Sequence, residues 1–514
     1  MDKRQSATGD AQADERVTTT PNVAAAGMFT AMASIGALQV LTILAQFVRA
    51  KVISVELGPS GLGIVGLIDQ LIQAVGFAAC LSLPTIVVRV MPRVYGEPAF
   101  RRQYASFLHA VVIVSVVGSG ALGIALIARP SLFGDVVAAH TSEFAVGLVS
   151  IPFFALGLFL PNVLAASMRP VGAVSLSFGI AAMTTVGAIA GLLWGGIREI
   201  YIAQAVLTGT LLLVALVYFK VRLQLPFHHS SAGLVREIRA RPDIIPTAGA
   251  VYATLVSSSV SLLVIRYVTV HSVGSGAGGQ LQAILSMVLG VGQVMVVMAS
   301  GYLAPLLNRP RPQAEKFAIF DRFRHRQLIV LITLAVPLVV FAKLALTILF
   351  SSKFTDAALW LPAFLVWQLV VIQTNVQLQL LFALDELRIV AIKSIAGCVL
   401  SVALCIILIP KYGLSGAAIA TIPGALLTLW IGSERLHRHG YVMARSSVWL
   451  GAYAAVVLLA APYAMRGQFW DPFAVKIAAC VVLIGGLWPF LDAEEKAAIR
   501  RFARRSTAGR SARS

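Results

Sequence analysis

Fourteen apolar stretches, each long enough to cross about 30 Å of hydrocarbon, account for most of this chain and leave no sizeable soluble segment. They lie at about 24–48, 62–90, 105–128, 143–166, 171–195 and 199–219, and then at about 244–270, 280–306, 327–350, 358–384, 388–410 and 413–433. A final pair lies at about 447–465 and 473–491. Numbered spans 1 to 14 in that order, they group as six, six and two. Backbone amides in lipid must find partners within their own segment, so such spans fold as helices. The expected fold is an all-α polytopic membrane protein of about 14 transmembrane helices, two pseudo-repeated six-helix lobes plus two C-terminal helices.

Composition carries the same message. With 58% hydrophobic and 12% charged side chains among 514 residues, the apolar surface exceeds what one soluble core can bury. The net charge of +19 would suggest nucleic acid in a soluble protein, but the cations mark topology. The tails and even-numbered connections hold 30 of the 41 Lys and Arg. The other side holds ten, including Arg49, Lys51, Arg129, Arg198, Arg266 and Lys343, and Arg89 sits near a helix end. By the positive-inside rule both termini are cytoplasmic, and no nucleic-acid partner is expected. The C-tail, with Arg500, Arg501, Arg504 and Arg505, is expected on anionic headgroups or, equally, in solvent. Cys80, Cys398, Cys405 and Cys480 all fall in apolar runs without ligand spacing and read as small apolar fillers.

The segmentation follows from these patterns. Residues 1–22 read as a disordered cytoplasmic tail, 23–220 as an N-terminal lobe, and 221–243, with Arg236, Arg239 and Arg241, as a linker. Residues 244–435 form a second lobe, 436–491 an extra helix pair and 492–514 a basic tail. The lobes look like repeats. Val48-Arg49-Ala50-Lys51 ends span 1 before the turn Gly58-Pro59-Ser60-Gly61-Leu62-Gly63; Ile265-Arg266-Tyr267 ends span 7 before Gly274-Ser275-Gly276-Ala277-Gly278-Gly279. Leu132-Phe133-Gly134-Asp135 before span 4 echoes Leu349-Phe350-Ser351-Ser352 before span 10. Repeated bundles can rock about a site at their interface. Chance similarity between Gly-rich loops is the alternative.

Three motifs carry a family resemblance: Leu57-Gly58-Pro59-Ser60-Gly61-Leu62-Gly63; Phe350-Ser351-Ser352-Lys353-Phe354 with Leu361-Pro362; and Ile409-Pro410-Lys411-Tyr412-Gly413-Leu414-Ser415-Gly416-Ala417-Ala418. With the six-plus-six layout, the chain from about 24 to 435 resembles the oligosaccharide flippases of the multidrug/oligosaccharidyl-lipid/polysaccharide exporter superfamily, especially the Wzx-type translocases. The last two helices exceed the twelve-helix pattern of those translocases, while lipid II flippases of the same superfamily have fourteen. The resemblance implies alternating-access movement of a polyprenyl-diphosphate-linked oligosaccharide to the outer leaflet for surface polysaccharide biosynthesis. It implies as partners that lipid, the surrounding membrane lipids, and the polymerase and glycosyltransferases of the same pathway.

A sugar-bearing diphosphate needs a polar, cationic path. Asp69 and Gln73 share a face of span 2; Gln282, Ser286 and Gln293 share one of span 8; Gln368, Asn375 and Gln379 share one of span 10, opposite Gln373 and Gln377. Amides suit sugar hydroxyls, although they also serve to tie helices together. Among ionisable groups in or near spans, Arg49, Lys51, Arg89 and Arg266 are candidates to hold phosphate, or snorkelling residues. For Asp69 the options are ion coupling or pairing with a basic residue. His109 and His271 read as interfacial. No Gly-x4-Gly-Lys-Ser/Thr loop is present, so no cofactor is expected; a proton or sodium gradient, or the membrane potential at about 2.3 kcal/mol per charge per 100 mV, would drive export.

Two other functions fit the composition. A membrane enzyme of the glycan pathway would need a chemical site in an outer loop, where the longest, about 129–142, offers only Asp135 and His140. A multidrug-type small-molecule antiporter would share the architecture.

Overall fold

The computed structural model describes residues 21–95, 97–167, 169–226, 244–309, 311–464, 472–491 and 496. Nearly all of the expected N-tail, most of the linker and nearly all of the basic C-tail lie outside the described residues; Pro21 and Asn22 already belong to the first helix. Every regular element among the described residues is helical.

Twelve of these helices are long and apolar enough to span a bilayer. One of them, Leu387–Arg438, is two antiparallel segments: Gly413 adopts φ 58°, and beyond it Gly424 and Thr428 lie against Gly397. Only glycine takes that backbone conformation without strain, so the hairpin between spans 11 and 12 closes there. The helix Arg445–Ala464, with a shorter apolar core, is span 13, which brings the count to the expected fourteen. The protein is a multi-pass membrane protein.

Several boundaries differ from hydropathy for local reasons. Span 2 is a helix from Gly58 to Ala79; Leu81 and Ser82 then turn left-handed and Pro84 starts a short helix, Leu83–Val90. Span 4 breaks at Ser150, ahead of Pro152, into Thr141–Val149 and Ile151–Ala166. Span 9 runs from Gln313 to Val340, well before the apolar stretch begins, so Arg324 and His325 are buried helical residues and not loop residues.

The two halves pack alike. Span 1 lies along span 5 (Pro170–Trp194), as span 7 (Ile244–Val273) lies along the hairpin of spans 11 and 12; span 2 packs on span 4 as span 8 (Ser275–Met298) packs on span 10 (Leu361–Ala383). Span 2 also crosses to spans 7 and 8, and span 1 touches span 8. The last two helices rest on spans 9 and 10, away from this seam. Apolar side chains such as Ile124, Val117 and Leu193 face outward, as lipid contact requires.

Candidate functional site

The seam between the halves is set by the two Gly-rich turns, which meet. A side-chain carbon on Gly279 would strike the carbonyl of Pro59, and one on Gly63 the carbonyl of Ser275. Below them Gly66 leaves room for Gln282, whose side chain a methyl group there would meet at 2.6 Å. These small residues let spans 2 and 8 approach backbone to backbone, which closes the seam at this end.

One to two turns further along span 2, polar groups gather on two sides of that helix. On one side Arg49 of span 1 grips Asp69 with both terminal nitrogens, at 2.7 and 3.0 Å. Tyr201 of span 6 (Ile197–Arg222) donates to the same carboxylate at 3.0 Å and to the Val65 carbonyl at 3.0 Å. Gln204, one turn on, accepts from Arg49 Nε at 3.0 Å in the amide orientation that satisfies both groups. On the other side Arg266 of span 7, only 7% exposed, donates to the Gln70 amide oxygen, and Gln70 in turn donates to the Ser259 carbonyl at 3.2 Å. Arg266 Nε is buried without a partner among the described residues. Thus two arginines that the sequence places at span ends, and that the structure places seven residues inside helices running on to Glu56 and Val273, converge on consecutive residues, Asp69 and Gln70. Two guanidiniums against one carboxylate leave this stretch net positive.

The remaining candidates scatter. Lys51 reaches the Thr347 carbonyl at 3.0 Å, tying span 1 to the second half near the glycine turns. Gln73 and Gln293 are exposed, and the side chain of Arg89 is outside what the structure describes. Gln282 donates weakly to Ser286 at 3.4 Å and keeps a buried amide oxygen unpartnered. Gln368 is buried against Gly292, also with an unpartnered oxygen, whereas Asn375 and Gln379 are half-buried.

The opposite face of span 10 is the better connected. Gln373 accepts from Arg324 at 2.7 Å; Gln377 accepts from Lys393 of span 11 at 3.2 Å and donates to Ser433 at 3.0 Å. Gln70, Tyr201, Gln204, Arg324 and Lys393 were not singled out from sequence. Hydropathy groups Arg324 and Lys393 with loop cations; the position of Gln70 beside Asp69, and of Gln204 three residues after Tyr201, were available signals. Among the described residues no cluster of three or more His, Cys, Asp or Glu could hold a metal ion.

No family model and no curated protein matches the sequence. Solved structures do match. "Lipid II flippase MurJ, inward closed conformation" superposes with a TM-score of 0.66 at 12% identity, covering 89% of this chain and 97% of that one. An inward-facing multidrug resistance MATE family transporter of the MOP superfamily gives 0.57 at 16% identity, with 79% and 96% covered. The chain shares the fold of these transporters. The MATE multidrug transporter DinF-BH shares it with a TM-score of 0.56 at 16% identity, 80% and 96% being covered. The chain thus shares its fold with a lipid II flippase and with multidrug transporters, and within that fold the converging arginines stand at the contact between the halves.

Proposed function

We propose that the protein is a flippase that carries a polyprenyl-diphosphate-linked oligosaccharide from the cytoplasmic to the outer leaflet of the inner membrane, as Wzx-type translocases do. The observation that carries this reading is the convergence of Arg49 and Arg266 on adjacent residues of span 2. A net-positive site between two repeated bundles attracts a diphosphate, and guanidinium groups bind phosphate oxygens in pairs. Residues 23–220 and 244–435 act as the rocking lobes, with 221–243 as their linker and both termini cytoplasmic. In that orientation the interlocked glycine turns form the outer gate, closed here. The headgroup displaces Asp69 from Arg49, and Gln70 from Arg266, as the lobes part. Exposed Gln73 and Gln293, with Asn375 and Gln379, face sugars along the path. The membrane potential favours outward movement of the anionic headgroup.

The likeness to MATE transporters supports a second reading, a small-molecule antiporter. The net charge at span 2 disfavours cationic cargo for such a carrier. Deleting the gene and locating the lipid-linked glycan separates them: the flippase reading expects accumulation on the cytoplasmic leaflet. Unchanged export of the glycan, with no second transporter present, refutes it.

A further inference from the structure

Lys393 stands six residues into span 11, about 9 Å along the helix from Leu387, and is 2% exposed. Its amine donates to the Thr374 carbonyl at 3.4 Å and to Gln377 Oε1 at 3.2 Å. Both contacts are to uncharged acceptors. Span 10 contributes no ionisable residue anywhere from Leu361 to Ala383. On span 12, Thr428 donates to the Lys393 backbone at 3.3 Å, Glu434 is paired with Arg438, and Arg435 is paired with Glu386. Glu386 also accepts from His439 at 2.7 Å. On span 7 the adjacent contact is a hydroxyl pair, Thr254 with Ser394 at 3.1 Å. The ionisable groups of span 7 are Tyr252, Arg266 on Gln70, and the stacked Tyr267 and His271. No carboxylate reaches Lys393 among the described residues.

Two acceptors match the two N–H groups of a neutral amine. An ammonium would leave a third donor and a full charge without a partner in a membrane interior, which is strongly unfavourable. Resting on the carrier reading above, we propose that Lys393 is the proton-coupling site of the transporter, a neutral amine in the closed conformation that takes up one proton when the second lobe admits water. The step is RNH2 + H+ giving RNH3+, with the proton drawn from the outer aqueous phase when the glycine turns part and released to the cytoplasmic phase when they close again. A group that binds a proton in one conformation and sheds it in the other ties the proton gradient to the conformational cycle.

Gln377 passes the change on. It accepts from Lys393 and donates to Ser433 and to the Leu429 carbonyl, while Gly432 packs against it, so the charged form disturbs the contact between spans 10 and 12. One turn away Gln373 holds Arg324, which extends the link to span 9.

The first test needs no substrate. In the full chain held in lipid nanodiscs, thermal unfolding is followed from pH 6 to 9 for wild type, Lys393→Met and Lys393→Gln. A lysine neutral when folded and charged when unfolded makes the unfolded state the larger proton binder, so stability rises with pH across this window. The wild type should therefore gain up to tenfold in its folding equilibrium per pH unit over both variants. Equal slopes would overturn the proposal.

The second test reads transport of a fluorescent polyprenyl-diphosphate disaccharide in vesicles. An imposed pH gradient should accelerate the wild type several-fold and leave both variants at their gradient-free rate. A gradient response retained in either variant, or absent from the wild type, also overturns it. Failure of the wild type to move the probe at all counts against the flippase reading, and the unfolding slopes then decide the protonation of Lys393 on their own.

Discussion

Replacing Asp69 with Asn tests whether Arg49 is held by its carboxylate. The pair is bidentate, at 2.7 and 3.0 Å, with side-chain exposures of 18% and 23%, and Tyr201 adds a third donor at 3.0 Å. Removing one partner from a fully buried ion pair costs about 3–5 kcal/mol, because the other charge is stranded. Residual exposure and the remaining Asn oxygen reduce this, so Asp69→Asn should cost about 2–3 kcal/mol. Arg49→Met, which strands the carboxylate instead, should cost a similar amount. The double variant strands neither, so its cost should fall short of the sum by about 1.5–3 kcal/mol. Equilibrium unfolding of the four proteins in one detergent measures the cycle. Costs that add to within about 0.5 kcal/mol would refute the pairing.

Two further outcomes follow from the geometry. Ser60 Oγ lies 3.8 Å from where a side-chain carbon on Gly276 would sit, so Ser60→Cys with Gly276→Cys should cross-link under mild oxidation and arrest transport until reduced; free movement in the oxidised protein would show that the glycine turns are no gate. At the junction of spans 10 and 11, hydrogen bonds from Arg435 and then His439 outweigh burial and hold Glu386 below the usual carboxylate range. The stability this contributes is present above the unfolded value of about 4.3 and lost as pH falls through the depressed folded one, so Glu386→Gln should cost on the order of 1 kcal/mol at neutral pH and little in strong acid, as read by unfolding at both.

The number of spans was legible because lipid demands long apolar helices, and hydropathy measures that demand. The glycine turns were legible as a repeated pair, but their contact with each other was not, since close approach leaves no mark beyond small residues. Asp69 was legible as an acid inside a span with a basic partner among its options; that the partner is Arg49, not Arg266, depends on the packing of span 1. Span 10 shows where periodicity stops: it separates Gln368, Asn375 and Gln379 from Gln373 and Gln377, yet cannot say which face binds Arg324 and Lys393. Those two cations were hidden by their place near charged helix ends, where a loop and a buried helical turn read alike.

The most direct measurement is translocation of a fluorescent polyprenyl-diphosphate oligosaccharide in vesicles containing wild type, Arg49→Ala or Arg266→Ala at matched protein levels. The wild type should expose the probe to a membrane-impermeant quencher. Each Ala variant should be slower on the order of tenfold or more, for a loss of about 1.5–3 kcal/mol per phosphate contact, and Arg→Lys at either position should keep part of the rate. Wild-type rates in both Ala variants would contradict the assignment of these arginines to the headgroup, and no movement of the lipid by the wild type would contradict the flippase itself.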